Sequence, residues 1–391
     1  MKFESIVWDV HPVSGMTRAD RSHLGRSHRA AILAPIAHRA PALSALTTAL
    51  AEEAAYELAR FDADLGHELA PYAAILLRSE AASSSRIEGI TAGARAVMEA
   101  EVTGAGRGNA AEVFANTLAM RRALSLGGPL DETAILSMHE ALLSAQAPEI
   151  AGRWRTDQVW VGSGSIPHTA DFVPPIAGRV GGYMADLVDF IRRDDLPVIV
   201  MAAIVHAQFE TIHPFPDGNG RVGRALMHAL LRAKGLVTNA SVPVSAGLLV
   251  ARAAYIDALG DYRDGDPGPI VAAVARACVS AVSHGRSLVA RTRDVRARWA
   301  NELGQVRSDS AVHRLADGLI GQPAVTVHQA RQILGTQVNV HRHIDVLVEH
   351  GILTPHQDYR TRNMTWRAQD VLDALDEYSA EVGRRQRSGR R

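Results

Sequence analysis

The chain has 391 residues, 47% of them hydrophobic, which is enough for a large buried core and two or three domains. Its 42 basic residues balance its 42 acidic residues, so the whole molecule has no electrostatic bias towards nucleic acid or anionic membranes. The single cysteine excludes an intrachain disulfide, and without a secretory signal or an apolar run of ~20 residues we expect a cytoplasmic protein.

Apolar residues recur at helical spacing along most of the chain, and this pattern predicts a mostly α fold. Residues 157–174 are the exception, because Val159 and Val161 flank a tryptophan and a Gly/Ser turn follows them. We expect an irregular β-hairpin there. The predicted helices cover residues 41–62, 67–87, 110–125, 132–145, 181–192, 199–212, 221–234 and 267–299.

The stretch HPFPDGNGRVGR, residues 213–224, predicts a bend between two helices. The first helix has to stop before Pro214, because proline restrains its predecessor from the helical region. Gly218 and Gly220 allow backbone N–H groups to point inward, where they form an anion-binding nest at the positive end of the second helix. Arg221 and Arg224 share one face of its first turn, beside the N–H groups near Val222 and Gly223, so the bend has the groups to hold a polyphosphate.

Two further side chains of this stretch suit chemistry on such a ligand. Asp217 is a hard oxygen donor of the kind that holds a magnesium ion bridging two phosphates. His213 is the only side chain of the stretch that titrates near neutral pH, which makes it a candidate general base. The residues alone leave open a plain surface turn with solvated arginines and a structural histidine.

At every defining position the stretch matches the motif His-x-Phe-x-Asp/Glu-Gly-Asn-Gly-Arg-x-x-Arg, and it therefore resembles the Fic family. Residues 152–175 resemble the flap hairpin of that family, and the likeness extends over about residues 30–275. The resemblance implies a helical core with a β-hairpin flap. It also implies adenylylation, in which AMP passes from ATP to a Ser, Thr or Tyr hydroxyl of a target protein or of the enzyme itself, releasing pyrophosphate.

The resemblance also implies a role for each matching residue. His213 would deprotonate the target hydroxyl, Asp217 would hold Mg²⁺, and Phe215 would anchor the loop in the core. The phosphates of ATP would lie against a nucleotide-binding set in which Arg221 contacts the β-phosphate and Arg224 the γ-phosphate. That set comprises Gly218, Asn219, Gly220, Arg221, Val222, Gly223 and Arg224. The flap hairpin would offer a strand edge to the target.

A second motif lies at SSSRIEG, residues 83–89. The helix before it is predicted to end at Gly89, which places Glu88 at the negative end of the helix dipole, where a carboxylate is unfavourable without a cation. A solvated glutamate is the plain alternative. Ser84 and Glu88 match the inhibitory motif Ser/Thr-x-x-x-Glu-Gly/Asn in its N-terminal, class II position. By resemblance Glu88 pairs with Arg224 and blocks the γ-phosphate, or activates water for the removal of AMP.

One position departs from the family pattern. Members of this type carry an Asn-Arg pair ahead of a tyrosine in the helix beyond the motif, with the asparagine near the adenine. Here Ala251 precedes Arg252, while Tyr255 matches. Recognition of adenine is therefore less defined than recognition of phosphate. His206, which precedes the motif on an apolar helix, is expected to be a hydrogen-bonded core residue, because no metal-binding motif surrounds it.

The C-terminal part resembles a winged helix-turn-helix over residues 306–380, after a linker at 291–305 and before a disordered basic tail at 381–391. The remaining domain limits are 1–110 for an N-terminal helical region and 111–290 for the Fic core. DNA contact, a homodimer and target docking are all open for this module, because acidic residues share the predicted recognition helix with basic ones. The residues concerned are Asn339, His341 and Arg342, opposed by Asp345 and Glu349, and the wing residues Arg360, Arg362 and Arg367.

The sequence thus predicts an adenylyltransferase that uses ATP and Mg²⁺ and that has no membrane partner. The alternative from another functional class is a DNA-binding regulator whose Fic core only senses a nucleotide. His213 favours the enzyme, because a sensor has no need of a general base.

Overall fold

The computed structural model describes residues 1–8, 17–65, 69–104, 108–162, 164–239, 241–335, 339–357 and 364–388. The described chain is mostly helical with short antiparallel strands, which confirms the predicted fold class. The helices are α1 (Arg18–Arg21), α2 (Ala45–Leu65), α3 (Leu69–Ile87), α4 (Ala94–Thr103), α5 (Asn109–Leu124), α6 (Glu132–Leu143), α7 (Val180–Ile191), α8 (Val198–Ile212), α9 (Asn219–Ala233), α10 (Val244–Val250), α11 (Arg252–Asp264), α12 (Gly268–Glu302), α13 (Ala311–Gly321), α14 (Val327–Leu334), α15 (His341–Glu349) and α16 (Gln369–Ser388). The strands are β1 (Lys2–Val7), β2 (Ser27–Ile32), β3 (Ala324–Val325), β4 (Thr354–Gln357) and β5 (Met364–Arg367).

Contacts divide the chain into two compact units. The first comprises residues 1–51, 122–233 and 254–273, and the second comprises residues 52–121, 234–253 and 274–391. Among the described helices, none has the length and apolar character that crossing a membrane requires.

In the first unit, α8 is the central helix and packs against α7 and α9, while α6 packs against α9. Every residue of α8 from Ile199 to Ile212 is buried. An apolar sequence on all faces explains this position, because such a helix is stable only when protein surrounds it. The helix therefore fixes the backbone that leads into His213.

The hairpin predicted at residues 157–174 is present in irregular form. Val161 and Phe172 make an isolated antiparallel bridge rather than part of a longer ladder. The N-terminal strands β1 and β2, which pair from Lys2 opposite Ile32 to Val7 opposite Ser27, were not predicted. Their sequences lack a clear period-2 alternation, so the strand signal is weak. Ala31 of β2 donates its N–H to the Val173 carbonyl at 3.1 Å and so covers one edge of the hairpin.

In the second unit, α3 packs against α10, α13 and α16. Helix α12 continues through Glu302, so it covers most of the predicted linker, residues 291–305, and ends three residues after the predicted helix 267–299. Val295, Trp299 and Leu303 are buried and lie four residues apart, so they form one apolar stripe within an arginine-rich sequence. The Trp299 indole N–H also donates to Asp370 Oδ2 at 3.0 Å.

The tail predicted to be disordered, residues 381–391, is helical in the part that the structure describes. Helix α16 extends to Ser388, and Val382 within it is buried, so an apolar contact extends the helix into the charged sequence. Residues 389–391 lie outside the described residues.

The C-terminal module has the element order helix, strand, helix, helix, strand, strand, and its sheet has the order β3-β5-β4. The two predicted helices of the module correspond to α14 and α15. Arg367, which the sequence analysis placed on a positively charged wing, is buried in β5 and ion-paired with Glu99 at 2.5 Å. It therefore adds no exposed charge, and Arg360 and Arg362 lie outside the described residues. The winged-helix assignment stays a prediction.

Candidate active site

Helix α8 ends in an unusual backbone conformation at His213. This residue has φ 50° and ψ 62°, and it is the only non-glycine residue with positive φ among the described residues. Its N–H donates to the Phe209 carbonyl at 2.9 Å, which closes the helix, and Pro214 then directs the chain away. A left-handed histidine carries backbone strain, and such strain persists only where the surroundings hold it in place.

The Asn219 side chain holds the loop that follows. Its Oδ1 accepts the Phe215 N–H at 2.9 Å, and its Nδ2 donates to the Phe215 carbonyl at 2.8 Å. Phe215 is fully buried, in the core where the sequence analysis expected it. The side chain of Asn219 therefore bonds to both backbone polar groups of Phe215.

His139 of α6, which the sequence analysis did not identify, supports the same loop. Its ring stacks on Phe215 with centroids 3.7 Å apart. Nδ1 accepts the Gly152 N–H at 3.0 Å, so Nε2 carries the proton and donates to the Asp217 carbonyl at 3.2 Å. Burial lowers the pKa of His139 to about 4, so the ring is neutral at pH 7. No sequence motif marks this residue.

Arg155 is a second residue that the sequence analysis did not assign a role. Its Nε donates to the His213 carbonyl at 2.8 Å, and its own N–H donates to the Pro214 carbonyl at 2.9 Å. The guanidinium also bonds to the carbonyls of Asp157 and Pro175, at the two ends of the hairpin. Burial lowers the pKa of Arg155 to about 10, which still leaves it charged at neutral pH. Arg155 therefore ties the hairpin to the bend.

The start of α9 presents the polar groups of the motif. Asp217 has a side chain that is 65% exposed, and its Oδ2 lies 3.4 Å from Arg221 Nη2. Its Oδ1 accepts the Gly218 N–H at 2.6 Å. Gly218 has φ 80°, and a Cβ there would lie 2.8 Å from Leu142 Cδ2, so only glycine fits this turn. Helix geometry leaves the N–H groups of the first turn without intrahelical acceptors.

Two members of the predicted nucleotide-binding set make contacts within the protein. The Val222 N–H donates to the Gly218 carbonyl at 2.9 Å, so it is not available to a ligand. A Cβ on Gly223 would lie 2.9 Å from Glu210 Oε1 and 3.0 Å from Phe209 Cδ1, so this glycine allows α9 to pack closely on α8. Arg224 is buried on the same helix, with 1% of its surface exposed.

The His213 side chain is 19% exposed, and its Nδ1 lies 3.4 Å from the Glu210 carbonyl and 4.0 Å from Glu210 Oε2. When the Nδ1 proton is donated to that carbonyl, the lone pair that could accept a proton is on Nε2. His206 is fully buried and bonds through Nε2 to the Tyr255 hydroxyl at 2.7 Å, which confirms it as a hydrogen-bonded core residue.

The second motif lies in the other unit, at the end of α3, whose last residue is Ile87, as the helix predicted at 67–87 has it. Ser84 is buried and Glu88 is exposed. The Ile90 N–H donates to the Ser85 carbonyl at 3.0 Å and the Gly89 N–H to the Arg86 carbonyl at 3.0 Å, while Gly89 has φ 82°. This pattern is a Schellman motif in which Glu88 is the cap and Gly89 supplies the left-handed residue.

Comparisons with known proteins match both units. Residues 129–231 match the Fic/DOC family model, and residues 48–125 match the model of the Fic/DOC family N-terminal region. The chain is 34% identical over 145 residues to protein adenylyltransferase fic-1 of Caenorhabditis briggsae, a match that covers 36% of this chain and 26% of the relative. It is 33% identical over 145 residues to the probable protein adenylyltransferase aq_aa38 of Aquifex aeolicus, covering 34% of this chain and 40% of the relative.

The chain therefore spans about a quarter to two fifths of the length of these curated relatives. Among solved structures, a Fic family protein from Desulfovibrio desulfuricans G20 has 23% identity and a TM-score of 0.49, covering 84% of this chain and 98% of that chain. Fic-1 (aa134 - 508) from C. elegans has 24% identity and a TM-score of 0.47, covering 61% of this chain and 73% of that chain.

Proposed function

Because residues 48–125 and 129–231 match the Fic/DOC family models, we propose that the chain is a protein adenylyltransferase of that family. It transfers AMP from ATP to a Ser, Thr or Tyr hydroxyl of a target protein or of itself, and pyrophosphate leaves. The observation that carries the proposal is the bend after α8, in which a half-buried histidine, an exposed carboxylate and the first turn of α9 lie within twelve residues.

The chemistry assigned to the bend is proton removal and charge neutralisation. His213 Nε2 accepts the proton of the target hydroxyl, whose oxygen forms the new bond to the α-phosphorus. The bond from the α-phosphorus to the bridging oxygen breaks, and its electron pair leaves with pyrophosphate. Arg221, Arg224 and the N–H groups of the first turn of α9 neutralise the phosphate charges, since positioning and electrostatics supply most of the catalysis in such transfers.

Asp217 is the residue that would hold magnesium. Mg²⁺ commonly takes one or two carboxylates from the protein and further oxygens from substrate phosphates. An exposed carboxylate beside the first turn of α9 fits that pattern, and the described residues hold no cluster of three protein ligands that would bind the ion without a nucleotide. When bound, the ion would neutralise charge on the phosphates.

The target is proposed to add as a strand to the hairpin at residues 157–174. The backbone N–H and carbonyl groups of Val161 and Phe172 form hydrogen bonds with each other, and Ala31 covers the outer edge of the hairpin at Val173. The remaining edge is the one that carries Trp160, because alternate residues of a strand present their backbone groups to opposite sides. An extended target segment at this edge would gain main-chain hydrogen bonds whatever its side chains are.

Glu88 is proposed to inhibit the enzyme at rest by pairing with Arg224, which excludes the γ-phosphate from its productive position. The support for this step is the match of Ser84, Glu88 and Gly89 to the inhibitory motif, together with the position of Glu88 as an exposed helix cap. The same carboxylate would direct water in the reverse reaction, the removal of AMP from a target.

The test uses the wild-type chain, Glu88→Gly and His213→Ala, each incubated with ATP and Mg²⁺ and analysed by intact mass. We expect one or more AMP additions on the Glu88→Gly chain, severalfold less on the wild type, and none on His213→Ala. Glu88→Gln is the matched control, because it keeps the side-chain volume but removes the charge. The proposal fails if the Glu88→Gly chain gains no AMP, either on itself or on proteins of a cell extract incubated with labelled ATP.

A further inference from the structure

The last turn of α3, which precedes Glu88, has one carbonyl that the Schellman motif does not use. Ser85 and Arg86 accept the two bonds of that motif, and the Ile87 carbonyl accepts Arg252 Nε at 2.8 Å instead. Arg252 is the residue that follows Ala251, at the departure from the family pattern. A cation at the C-terminal end of a helix is favourable both as a donor and against the helix dipole.

A second arginine fixes the same turn from another direction. Arg86 Nη1 donates to the Ser379 carbonyl of α16 at 2.9 Å. Gly383 of α16 provides the space for the guanidinium, since a Cβ at that position would overlap it. The last turn of α3 is therefore linked to the C-terminal helix through Arg86.

The body of α3 is held independently of this turn. Arg78 is buried and bonds to Glu101 at 3.0 Å and 3.2 Å, and its guanidinium also reaches Gln322 Oε1 at 2.7 Å. Burial lowers the pKa of Arg78, and Glu101 opposes that change only in part. Loss of Arg252 or Arg86 would consequently loosen only the final turn and would leave the position of the helix unchanged.

We propose that Arg252 and Arg86 are positioning residues for Glu88, and that α16 sets the strength of the inhibition through Arg86. This inference rests on the proposed function, because it assigns the control of the same inhibitory glutamate. It predicts that changes in the C-terminal helix, remote in sequence from the catalytic motif, alter the rate of AMP transfer.

The test compares Arg252→Ala and Gly383→Ala in two backgrounds, one with Glu88 and one with Glu88→Gly. Gly383→Ala displaces the flexible end of Arg86 and replaces glycine within a helix by a better helix former, so the variant should fold. With Glu88 present, we expect each variant to raise the initial rate of AMP transfer roughly fivefold to tenfold. With Glu88→Gly, we expect no further increase. Arg252→Lys, which keeps a cationic donor, should restore part of the inhibition.

Hydrogen exchange of the Glu88, Gly89 and Ile90 amides provides a second readout that does not depend on activity. Both variants should speed exchange at these amides and leave the body of α3 protected. Unchanged exchange, or an equal rise in transfer rate with and without Glu88, would overturn the inference. If Glu88→Gly itself has no activity while exchange responds as expected, the proposed function fails and the positioning of the turn stands.

Discussion

Helices α8 and α3 end in the same left-handed backbone conformation, but a different type of residue adopts it in each. Each helix closes through a residue in the left-handed region, which is His213 with φ 50° after α8 and Gly89 with φ 82° after α3. Glycine adopts this conformation without strain, whereas a side chain at that position costs roughly 1–2 kcal/mol. The strain at the end of α8 therefore falls on the residue that we propose as the general base, and it is absent at the end that precedes Glu88.

The contacts around the end of α8 and around the end of α3 also differ. The bend after α8 is fixed by Arg155, by the amide oxygen and amide nitrogen of Asn219 and by the stacked ring of His139. The last turn of α3 depends on its Schellman motif and on two arginine contacts. We therefore expect the bend after α8 to keep a single conformation, and the last turn of α3 to loosen when one hydrogen bond is lost.

The largest effect should follow from removing the imidazole. His213→Ala and His213→Gly should each lower the rate of AMP transfer by about 10²–10⁴-fold, measured in a Glu88→Gly background, because general base catalysis contributes that much. The two variants should differ in stability, since glycine fits the left-handed conformation. In urea titrations the glycine variant should be about 1 kcal/mol more stable than the alanine variant. Equal stability would mean that the histidine backbone is not strained.

Asn219→Ala should produce the next largest effect. It leaves the buried N–H and carbonyl of Phe215 without the partners that now lie at 2.9 Å and 2.8 Å. Each unsatisfied buried group costs about 1–3 kcal/mol, so the free energy of unfolding should fall by about 2–6 kcal/mol. Asn219→Asp is a second variant, because it keeps the acceptor for the N–H but turns a carboxylate oxygen towards the buried Phe215 carbonyl, and it should destabilise the protein at least as much. If both variants unfold at the wild-type urea concentration, Asn219 does not hold the loop.

His139 makes the bend sensitive to acid. Its pKa is lowered from 6.5 to about 4 in the folded protein. Above pH 6.5 the ring is neutral in both states and its contribution to stability is complete. Between pH 6.5 and pH 4 the unfolded chain binds a proton that the folded chain does not, so stability is lost as the pH falls.

His139→Gln is the matched variant, because its amide can also accept from Gly152 and donate to the Asp217 carbonyl. Between pH 7.5 and pH 4, the wild type should lose about 2–3 kcal/mol more of its free energy of unfolding than this variant. Parallel curves for the two proteins would show that His139 does not titrate in this range.

Local sequence patterns predicted much of the site. The residues that they missed contact the bend from positions far away in the sequence. The bend, its glycines and the burial of Phe215 follow from residues within one stretch of sequence. His139 and Arg155 lie 78 and 58 residues from their partners in the bend, and no local pattern marks them. The end of α12, three residues beyond the predicted 299, was missed for a different reason, because the arginines of residues 291–298 obscure a stripe of Val295, Trp299 and Leu303 that only packing makes evident.

The smallest effect should come from Gly89→Ala, which introduces at the end of α3 the strain that the end of α8 already carries. A left-handed alanine should lower the free energy of unfolding by roughly 1–2 kcal/mol. It should also raise the rate of AMP transfer, because the strained turn holds Glu88 less firmly. Gly181→Ala in α7 is the control, since a Cβ there meets nothing within 4 Å and its backbone is not left-handed. That variant should be as stable as the wild type or more so. If the two alanine variants behave alike, the left-handed turn at Gly89 is not what positions Glu88, and the contrast between the two helix ends is limited to the strain at His213.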